Sequence, residues 1–386
     1  MRNRWLVSEG FWRSALFVAV TLAGLAILER TTTLLYALPH GRFAAMMIGV
    51  MRSRAIMQNP GMAGYYEQLA GPGESAGHNS SHDQIYDGSF RMYRLRPNLD
   101  RQTVYVLTAQ PTNSFGFVGR EWTVTKPPDT RRVALLGDSL VMGLGIDTNH
   151  TFATLLENRL NADPTLGVSH EFEVLNFAVR GYEITQMFDV EVEDASRFQP
   201  DVYILELSEL AISGNWDTHI TQLVQAGIDP KYDFLRETVR QAGVVQGDSF
   251  SILHSKLAPF RIPVLRETLA EMKSRAMRDH AQFIVVLVPS VEDGDLFKQR
   301  FSGIREILAS LDIPVIDLLD TFDSMPDKES LRIGLADVHP NSLGHRMLVD
   351  NLYTGLRANP AIWSSIAGNQ PERAHLESPT RRPRKP

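Results

Sequence analysis

The sequence contains no cysteine, and this absence excludes several kinds of chemistry. None of the 386 residues can form a disulfide, act as a thiolate nucleophile or give sulfur ligands to a zinc or iron–sulfur centre. Cysteine content does not identify the compartment, so other features must do that. With 43% hydrophobic and 22% charged residues, the chain can bury a sizeable core, and its length suits one large domain or two ordinary ones.

Basic charge is also scarce. The formal net charge is -6 at pH 7, and Lys and Arg form no stripe interleaved with aromatic residues. Proteins that bind nucleic acid usually carry such a stripe, because the phosphate backbone is densely negative. We therefore expect no nucleic-acid partner.

Long hydrophobic runs are missing except near the N-terminus. Residues 11–28 contain one charge, Arg13, and just reach the length of a bilayer-spanning helix. Arginines precede this run and favour a cytoplasmic N-terminus. We predict a cytoplasmic segment at 1–10 and a single transmembrane anchor in the plasma membrane at 11–30, with the remainder periplasmic or extracellular. The alternatives are a cleaved signal peptide and a buried helix of a soluble protein.

Beyond the anchor, a membrane-proximal and lead-in region at 31–130 is predicted to precede a domain at 131–358. Short apolar runs alternate there with helical patterns, which predicts a parallel sheet covered on both faces. The fold class is therefore α/β, a three-layer α/β/α domain with a five-stranded, mostly parallel sheet. Strands are predicted at 133–136, 172–177, 202–207, 283–288 and 315–318, and helices at 152–160, 184–197, 264–280, 296–311 and 343–356.

Two segments depart from this alternation. Residues 208–263 make one connection too long for a simple crossover, and such long connections are usually functional or structured. We interpret it as a substrate-facing insertion, the alternative being a structured but inert excursion. Residues 359–386 are polar and proline-rich, and are predicted to be a disordered tail.

A serine follows the first apolar run, in the stretch VALLGDSLVMGLGI at 133–146. Open α/β folds bind ligands at the carboxyl edge of the sheet, so Ser139 is a candidate nucleophile. The alternative is that Ser139 or Asp138 only caps a helix. Among eleven histidines, His339 follows the last predicted strand and can return to the same edge as a base. The alternative there is a solvated or packed loop histidine.

In combination these motifs resemble the SGNH hydrolases, also called GDSL esterases, of the membrane-anchored bacterial type. The first block of that family is similar to Gly137-Asp138-Ser139, the second to VLNFAVRGYEITQ at 174–186, and the last to DVHPN at 337–341. The resemblance covers about 131–358 and implies a flavodoxin-like hydrolase fold. It implies Ser139 as nucleophile and His339 as base, with the amides of Ser139 and Gly181 as oxyanion donors. No cofactor or metal is implied. The alternative for Gly181 is a turn glycine.

The sequence departs from the family at two positions. Where the third block has an asparagine that donates to the oxyanion, this chain has Leu210. The nearest asparagine, Asn215, is a candidate third oxyanion donor if it folds back, although its register differs from that of the family residue. In the last block Ala336 stands where the acid usually does. Asp337 is the available orienter of His339, with the distant Asp320 as a substitute. The alternative for Asp337 is a surface aspartate that complements a helix dipole.

Two other polar residues lie near these motifs. His345 is interpreted as a structural helix residue. Arg180 is interpreted as a solvated side chain, with substrate contact as the alternative.

Four functions remain open at this point. The first is an esterase that removes acyl groups from an envelope or exported polysaccharide through an acyl-serine intermediate, and the second is an O-acyltransferase that uses the same serine. The third is a catalytically impaired carbohydrate-binding or scaffolding subunit, to which the missing asparagine points, and the fourth is a lipid-directed esterase. The expected partners are an acylated carbohydrate or small acyl ester, the membrane and polysaccharide assembly proteins.

Overall fold

The computed structural model describes residues 84–99, 103–104, 107–108, 110–166, 171–212, 216–291, 294–334 and 337–368. The predicted anchor at 11–30 lies outside these ranges, as does most of the predicted tail. Within them, no helix has the length and apolar content needed to cross a bilayer.

The centre of the fold is a sheet of five parallel strands, which confirms the predicted fold class. The strands are β5 Thr130–Leu136, β6 Glu171–Asn176, β7 Val202–Leu207, β8 Gln282–Leu287 and β9 Val315–Asp317. Their spatial order is β6-β5-β7-β8-β9, so the chain starts near the middle and reverses direction once. This reversal creates a crevice between the carboxyl ends of β5 and β7, where doubly wound folds bind their ligands.

Helices cover both faces of the sheet, because each crossover must bury an apolar stripe against it. The helices are α1 Ser139–Met142, α2 Phe152–Asn161, α3 Ile184–Glu193, α4 Glu209–Ile212, α5 Thr218–Ala226, α6 Asp233–Ala242, α7 Phe250–Leu257, α8 Arg261–Arg278, α9 Asp295–Arg300, α10 Ser302–Ser310, α11 Ser342–Ala358 and α12 Pro360–Ile366. α2 and α11 lie together on one face, and α3 and α8 lie together on the other. On that second face α10 also contacts α8 through Ser310 and Arg266. The single helix predicted at 296–311 is in fact two, separated by the fully buried Phe301.

The long connection at 208–263 carries its own structure. It contains α4 to α7, and three of these helices bury a second apolar cluster centred on Ile220, Leu235 and Leu253. Phe90, from before the sheet, belongs to the same cluster. The insertion is therefore a small helical layer that also contacts the lead-in region.

Part of the lead-in region packs into the main core. A hairpin forms from β1 Gln84–Tyr86 and β2 Tyr93–Leu95, and Phe117, Val118 and Trp122 are buried in the main apolar cluster. Two further strands, β3 Thr103–Val104 and β4 Leu107–Thr108, pair with each other. The folded region thus begins before residue 131.

The predicted disordered tail is wrong for its first residues. Asn359 caps α12 by accepting a hydrogen bond from the Ile362 amide at 3.2 Å. Ile362 and Ile366 are each 1% exposed, and Trp363 packs edge-on against Tyr353 with ring centroids 5.7 Å apart. Two buried isoleucines four residues apart are enough to hold this last turn of helix on the domain. Residues 369–386 lie outside the described part of the chain.

Arg132 on β5 is a fully buried charge that ties the lead-in region to the sheet. Its Nε donates to Glu173 at 2.7 Å, and its terminal nitrogens donate to the carbonyls of Val124, Phe198 and Thr123 at 3.0, 2.9 and 2.8 Å. A buried guanidinium is tolerated only when its donors are satisfied in this way.

We predict that Arg132→Met destabilises the domain by about 3–5 kcal/mol, because it leaves the Glu173 carboxylate with only its longer contact to Arg120 and removes the donor of three carbonyls. Denaturant unfolding followed by circular dichroism measures this change. The control is Arg159→Met, which removes a half-exposed ion pair to Asp350 and should change the free energy of unfolding by about 1 kcal/mol or less. Equal effects in the two variants would contradict the role given to Arg132.

Candidate active site

Ser139 lies at the carboxyl end of β5, at the crevice between β5 and β7. The chain turns at Gly137 and Asp138, and Ser139 is the first residue of α1. The cap of that helix is Asp138, whose Oδ1 accepts from the Leu140 amide at 2.8 Å. Capping therefore occupies the aspartate and leaves the serine hydroxyl, which is partly exposed, available for chemistry.

A buried polar group supports this turn from the neighbouring strand. Glu206 on β7 accepts from the Asp138 amide at 2.9 Å, and the Ser208 hydroxyl donates to Asp138 Oδ2 at 2.6 Å. A Cβ on Gly137 would lie 2.7 Å from Glu206 Oε2, so only glycine fits the turn this closely against the carboxyl. The serine is thus mounted on a backbone that β7 holds in place.

Sequence reasoning missed Glu206 and Ser208. The available signal was a glutamate within the otherwise apolar strand VYILEL, since an ionisable residue in a fully buried strand needs a partner. Burial raises the pKa of Glu206 well above its ordinary value, and the neighbouring Asp138 adds to this shift. This shift favours the protonated form of Glu206, because two buried negative charges side by side are unfavourable.

His339 lies on a short strand rather than on the loop expected from the sequence. β10 Arg332–Gly334 and β11 Asp337–Pro340 form an antiparallel hairpin that contacts α1. Asn341 caps α11 by accepting from the amides of Leu343 and Gly344 at 3.0 and 3.2 Å. Its side chain also donates to Arg332 O at 3.3 Å, so it ties the helix to the hairpin.

The structure brings Ser139, His339 and Asp337 into one hydrogen-bonded chain. His339 Nε2 lies 2.7 Å from Ser139 Oγ, and His339 Nδ1 lies 2.5 Å from Asp337 Oδ1. The same Asp337 oxygen accepts from the His339 amide at 3.0 Å. Since a carboxylate accepts, Nδ1 carries the proton and Nε2 is left to accept from the serine hydroxyl. The short Asp-x-His spacing is therefore sufficient, and the alanine at 336 does not remove the orienting acid.

The pKa values of the pair move in opposite directions. For His339 burial acts to lower the pKa, but the hydrogen bond and charge of Asp337 outweigh burial and raise it above its usual value. For Asp337 burial acts to raise the pKa, and the hydrogen bond and charge of His339 lower it overall. The carboxylate therefore stays ionised and stabilises the imidazolium that forms during proton transfer.

Gly181 lies in a turn beside the serine loop. The residues before this turn run alongside the end of β5, since the amides of Phe177 and Val179 donate to Leu135 O and Gly137 O at 2.8 and 3.1 Å. Gly181 has φ of 73° and is exposed. Within the described residues, neither its amide nor that of Ser139 donates to a backbone carbonyl. Both predicted oxyanion donors therefore have their N–H groups available.

The other polar residues named from the sequence, Asp320, His345 and Arg180, are not part of the Ser139–His339–Asp337 chain. Asp320 is 86% exposed and pairs with Lys298 at 2.6 Å, so it is not the acid of His339. His345 is buried in α11, where burial lowers its pKa to about 3, as suits a structural neutral histidine. Arg180 is partly buried, and its carbonyl accepts from Tyr93 at 2.9 Å.

The third-block position itself carries no side-chain donor. Leu210 lies in α4 directly after β7, and leucine has no donor. Asn215 lies outside the described part of the chain. The described ranges also contain no group of three or more His, Asp or Glu side chains that is arranged to hold a metal ion.

The sequence and the fold both resemble those of known proteins. The sequence profile of the GDSL-like lipase/acylhydrolase family matches residues 135–347, more than half of the chain. A search of curated protein sequences finds no match.

Solved structures similar to the chain include several esterases. TesA shares 15% identity over 59% of this chain and 99% of its own, with a TM-score of 0.39. The acetyl xylan esterase AlAXEase shares 15% identity over 58% of this chain and 99% of its own, with a TM-score of 0.39. A catalytic mutant of Axe2, an acetylxylan esterase from Geobacillus stearothermophilus, shares 14% identity over 60% of this chain and 96% of its own, with a TM-score of 0.41.

The profile match begins one residue before the end of β5 and extends past His339, so it includes every member of the Ser139–His339–Asp337 chain. The protein therefore belongs to the GDSL-like lipase/acylhydrolase family, and it is a serine esterase of the SGNH type.

Proposed function

We propose that this esterase removes O-acyl groups from carbohydrate in an envelope or exported polysaccharide. The observation that carries the proposal is the hydrogen-bonded chain from Asp337 through His339 to the partly exposed Ser139. An idle scaffold has no need of an oriented base on an accessible serine. The oriented base therefore weighs against the scaffolding alternative, even though the third-block asparagine is absent.

The chemistry runs in two halves. In the first, His339 Nε2 takes the proton from Ser139 Oγ while that oxygen attacks the acyl carbonyl, which becomes a tetrahedral oxyanion facing the Ser139 and Gly181 amides. The protonated His339 then gives its proton to the departing sugar oxygen, which leaves an acyl-serine. In the second half, water repeats the attack with His339 as base, and the carboxylic acid departs. Transfer to a sugar hydroxyl instead of water would make the protein an O-acyltransferase with the same residues.

A cavity next to the Gly181 turn is a candidate site for further sugar units of the substrate. It has a volume of about 390 Å³, and Val179 and Tyr182, the first and last residues of the turn, are among its lining residues. Its walls mix aromatic rings with charged groups such as Arg91 and Asp189, whereas Ser139 and His339 do not line it. Aromatic and charged groups together favour sugar rings and hydroxyls, whereas a long acyl chain needs an apolar channel.

Location is the second part of the proposal. We propose that residues 11–30 anchor the protein in the plasma membrane with its esterase domain outside, where it meets polysaccharide and its assembly proteins. What supports this is the apolar run with arginines before it.

We predict that Ser139→Ala abolishes acyl release from acetylated oligosaccharides, because the covalent intermediate can no longer form. An organophosphonate should add once to the wild-type protein by intact mass, and not to the variant. A parallel assay on long-chain acyl esters tests the lipid alternative. Acyl release by Ser139→Ala at the wild-type rate would show that Ser139 is not the nucleophile. Faster release by the wild type from long-chain esters than from acetylated sugars would favour a lipid substrate.

We also predict a pH dependence set by His339. Only neutral imidazole is a base, so kcat/KM should rise with pH through the raised pKa of His339, with a midpoint above the ordinary histidine value of about 6.5. Asp337→Asn removes the charge that raises this pKa. The midpoint should move to lower pH, and kcat should fall by roughly four orders of magnitude, because the tautomer is no longer fixed.

The matched control for this pH measurement is Asp320→Asn, which removes an exposed carboxylate paired with Lys298. It should leave both the midpoint and kcat within about twofold of wild type. An unchanged midpoint in Asp337→Asn would show that another group controls His339.

A further prediction concerns the membrane anchor proposed at residues 11–30. Protease added to spheroplasts should digest the bulk of the protein while a cytosolic marker stays intact, and deletion of residues 1–30 should release the protein from the membrane fraction. Protection until lysis would reverse the orientation. Recovery of a soluble mature protein that lacks these residues would instead show a cleaved signal peptide.

A further inference from the structure

The turn that carries Gly181 has one peptide whose orientation decides the direction of the oxyanion donor. The Tyr182 amide donates to Val179 O at 3.2 Å, which closes a four-residue turn from 179 to 182. Gly181 has φ of 73°, whereas Arg180 does not have a positive φ, and this combination defines a type II turn. Type I and type II turns differ by a half rotation of the central peptide, here the bond from Arg180 to Gly181. In the other orientation the Gly181 N–H would point the opposite way.

Tyr93 holds that peptide in its observed orientation. Its hydroxyl donates to the Arg180 carbonyl at 2.9 Å. Within the described residues all peptide bonds are trans, so this C=O and the Gly181 N–H point in opposite directions. A carbonyl fixed toward the hairpin therefore fixes the N–H away from it. The donated hydrogen bond also polarises the peptide and makes the N–H a stronger donor.

Tyr93 is itself held rigidly for this contact. It lies on β2, where its carbonyl accepts from the Tyr182 hydroxyl at 2.5 Å. The two rings pack edge to face with centroids 5.2 Å apart. Burial raises the pKa of Tyr93, so its hydroxyl keeps its proton and remains a donor. A Cβ on Gly181 would lie 2.9 Å from the Tyr93 hydroxyl, which shows how closely the two elements meet.

We propose that Tyr93 is a positioning residue for ester hydrolysis, whose hydroxyl holds the Arg180–Gly181 peptide so that the Gly181 amide points at the oxyanion. The inference rests on the proposed use of Ser139 as nucleophile. Tyr93 lies outside residues 135–347, which match the family, so the family motifs do not predict this role. The leucine at 210 increases its importance, because fewer donors stabilise the oxyanion.

The test is Tyr93→Phe, which keeps the ring and its packing but removes the donor. An oxyanion contact forms mainly in the transition state, so kcat should fall roughly tenfold to a hundredfold while KM stays within about twofold. The rate of inactivation by an organophosphonate should fall with kcat, because its adduct places an oxygen where the oxyanion forms. The matched control is Tyr86→Phe, on the paired strand opposite Tyr93, whose hydroxyl contacts Gln84 rather than the turn. It should leave both rates unchanged.

Each outcome decides the inference. A fall in kcat and in phosphonate inactivation, with KM and the thermal unfolding midpoint near their wild-type values, supports it. Tyr93→Phe as fast as wild type overturns it while the proposed function stands, provided that wild type remains faster than Ser139→Ala. A rise in KM together with a large fall in the unfolding midpoint shows a merely structural tyrosine and also overturns it. Wild type no faster than Ser139→Ala removes the proposed function and this inference with it.

Discussion

The close approach of the Gly137–Asp138 backbone to the buried Glu206 carboxyl is the contact on which the catalytic geometry depends. β5 and β7 are neighbours in the sheet, so the end of one strand can support the end of the other. Glu206 accepts from the Asp138 amide, which fixes the turn that presents Ser139. Burial raises the pKa of this carboxyl, which favours its protonated form. The nucleophile is therefore positioned by a buried acid on the neighbouring strand.

A second set of contacts joins the lead-in hairpin and the insertion to the same edge of the sheet. His219 in the insertion lies 2.8 Å from the Thr185 hydroxyl on α3 and 2.6 Å from the Phe90 carbonyl. Burial lowers its pKa to about 4, so its ring is neutral and has one donor and one acceptor for these two partners. Arg91, next to Phe90, reaches Asp189 on α3 at 2.5 Å. The lead-in hairpin and the insertion thus both bind α3, the helix that follows the turn carrying Gly181.

The sequence predicts what local patterns and motifs determine. The five strands were predicted to within a few residues, because each is a continuous apolar run, and Ser139, His339 and Asp337 were predicted to act together and do meet. Glu206 and Tyr93 were missed because their roles depend on strand pairing and on the docking of the hairpin, which no local pattern records. α12 was missed because a short helix that starts at a proline within polar sequence has only two isoleucines to indicate it.

In the proposed mechanism the leucine at 210 leaves the amides of Ser139 and Gly181 as the oxyanion donors. A side-chain donor can adjust by rotating about its own bonds, but an amide donor is only as well oriented as the backbone that contains it. When amides must stabilise the oxyanion, a turn that misdirects an amide N–H weakens its hydrogen bond to the oxyanion. The free energy of the transition state rises as a result. Rigid support of the turn from outside the family region then becomes part of catalysis. This accounts for a hairpin that precedes the sheet yet is bound to α3 by Arg91 and to the Gly181 turn by Tyr93. The functional domain therefore includes the lead-in hairpin.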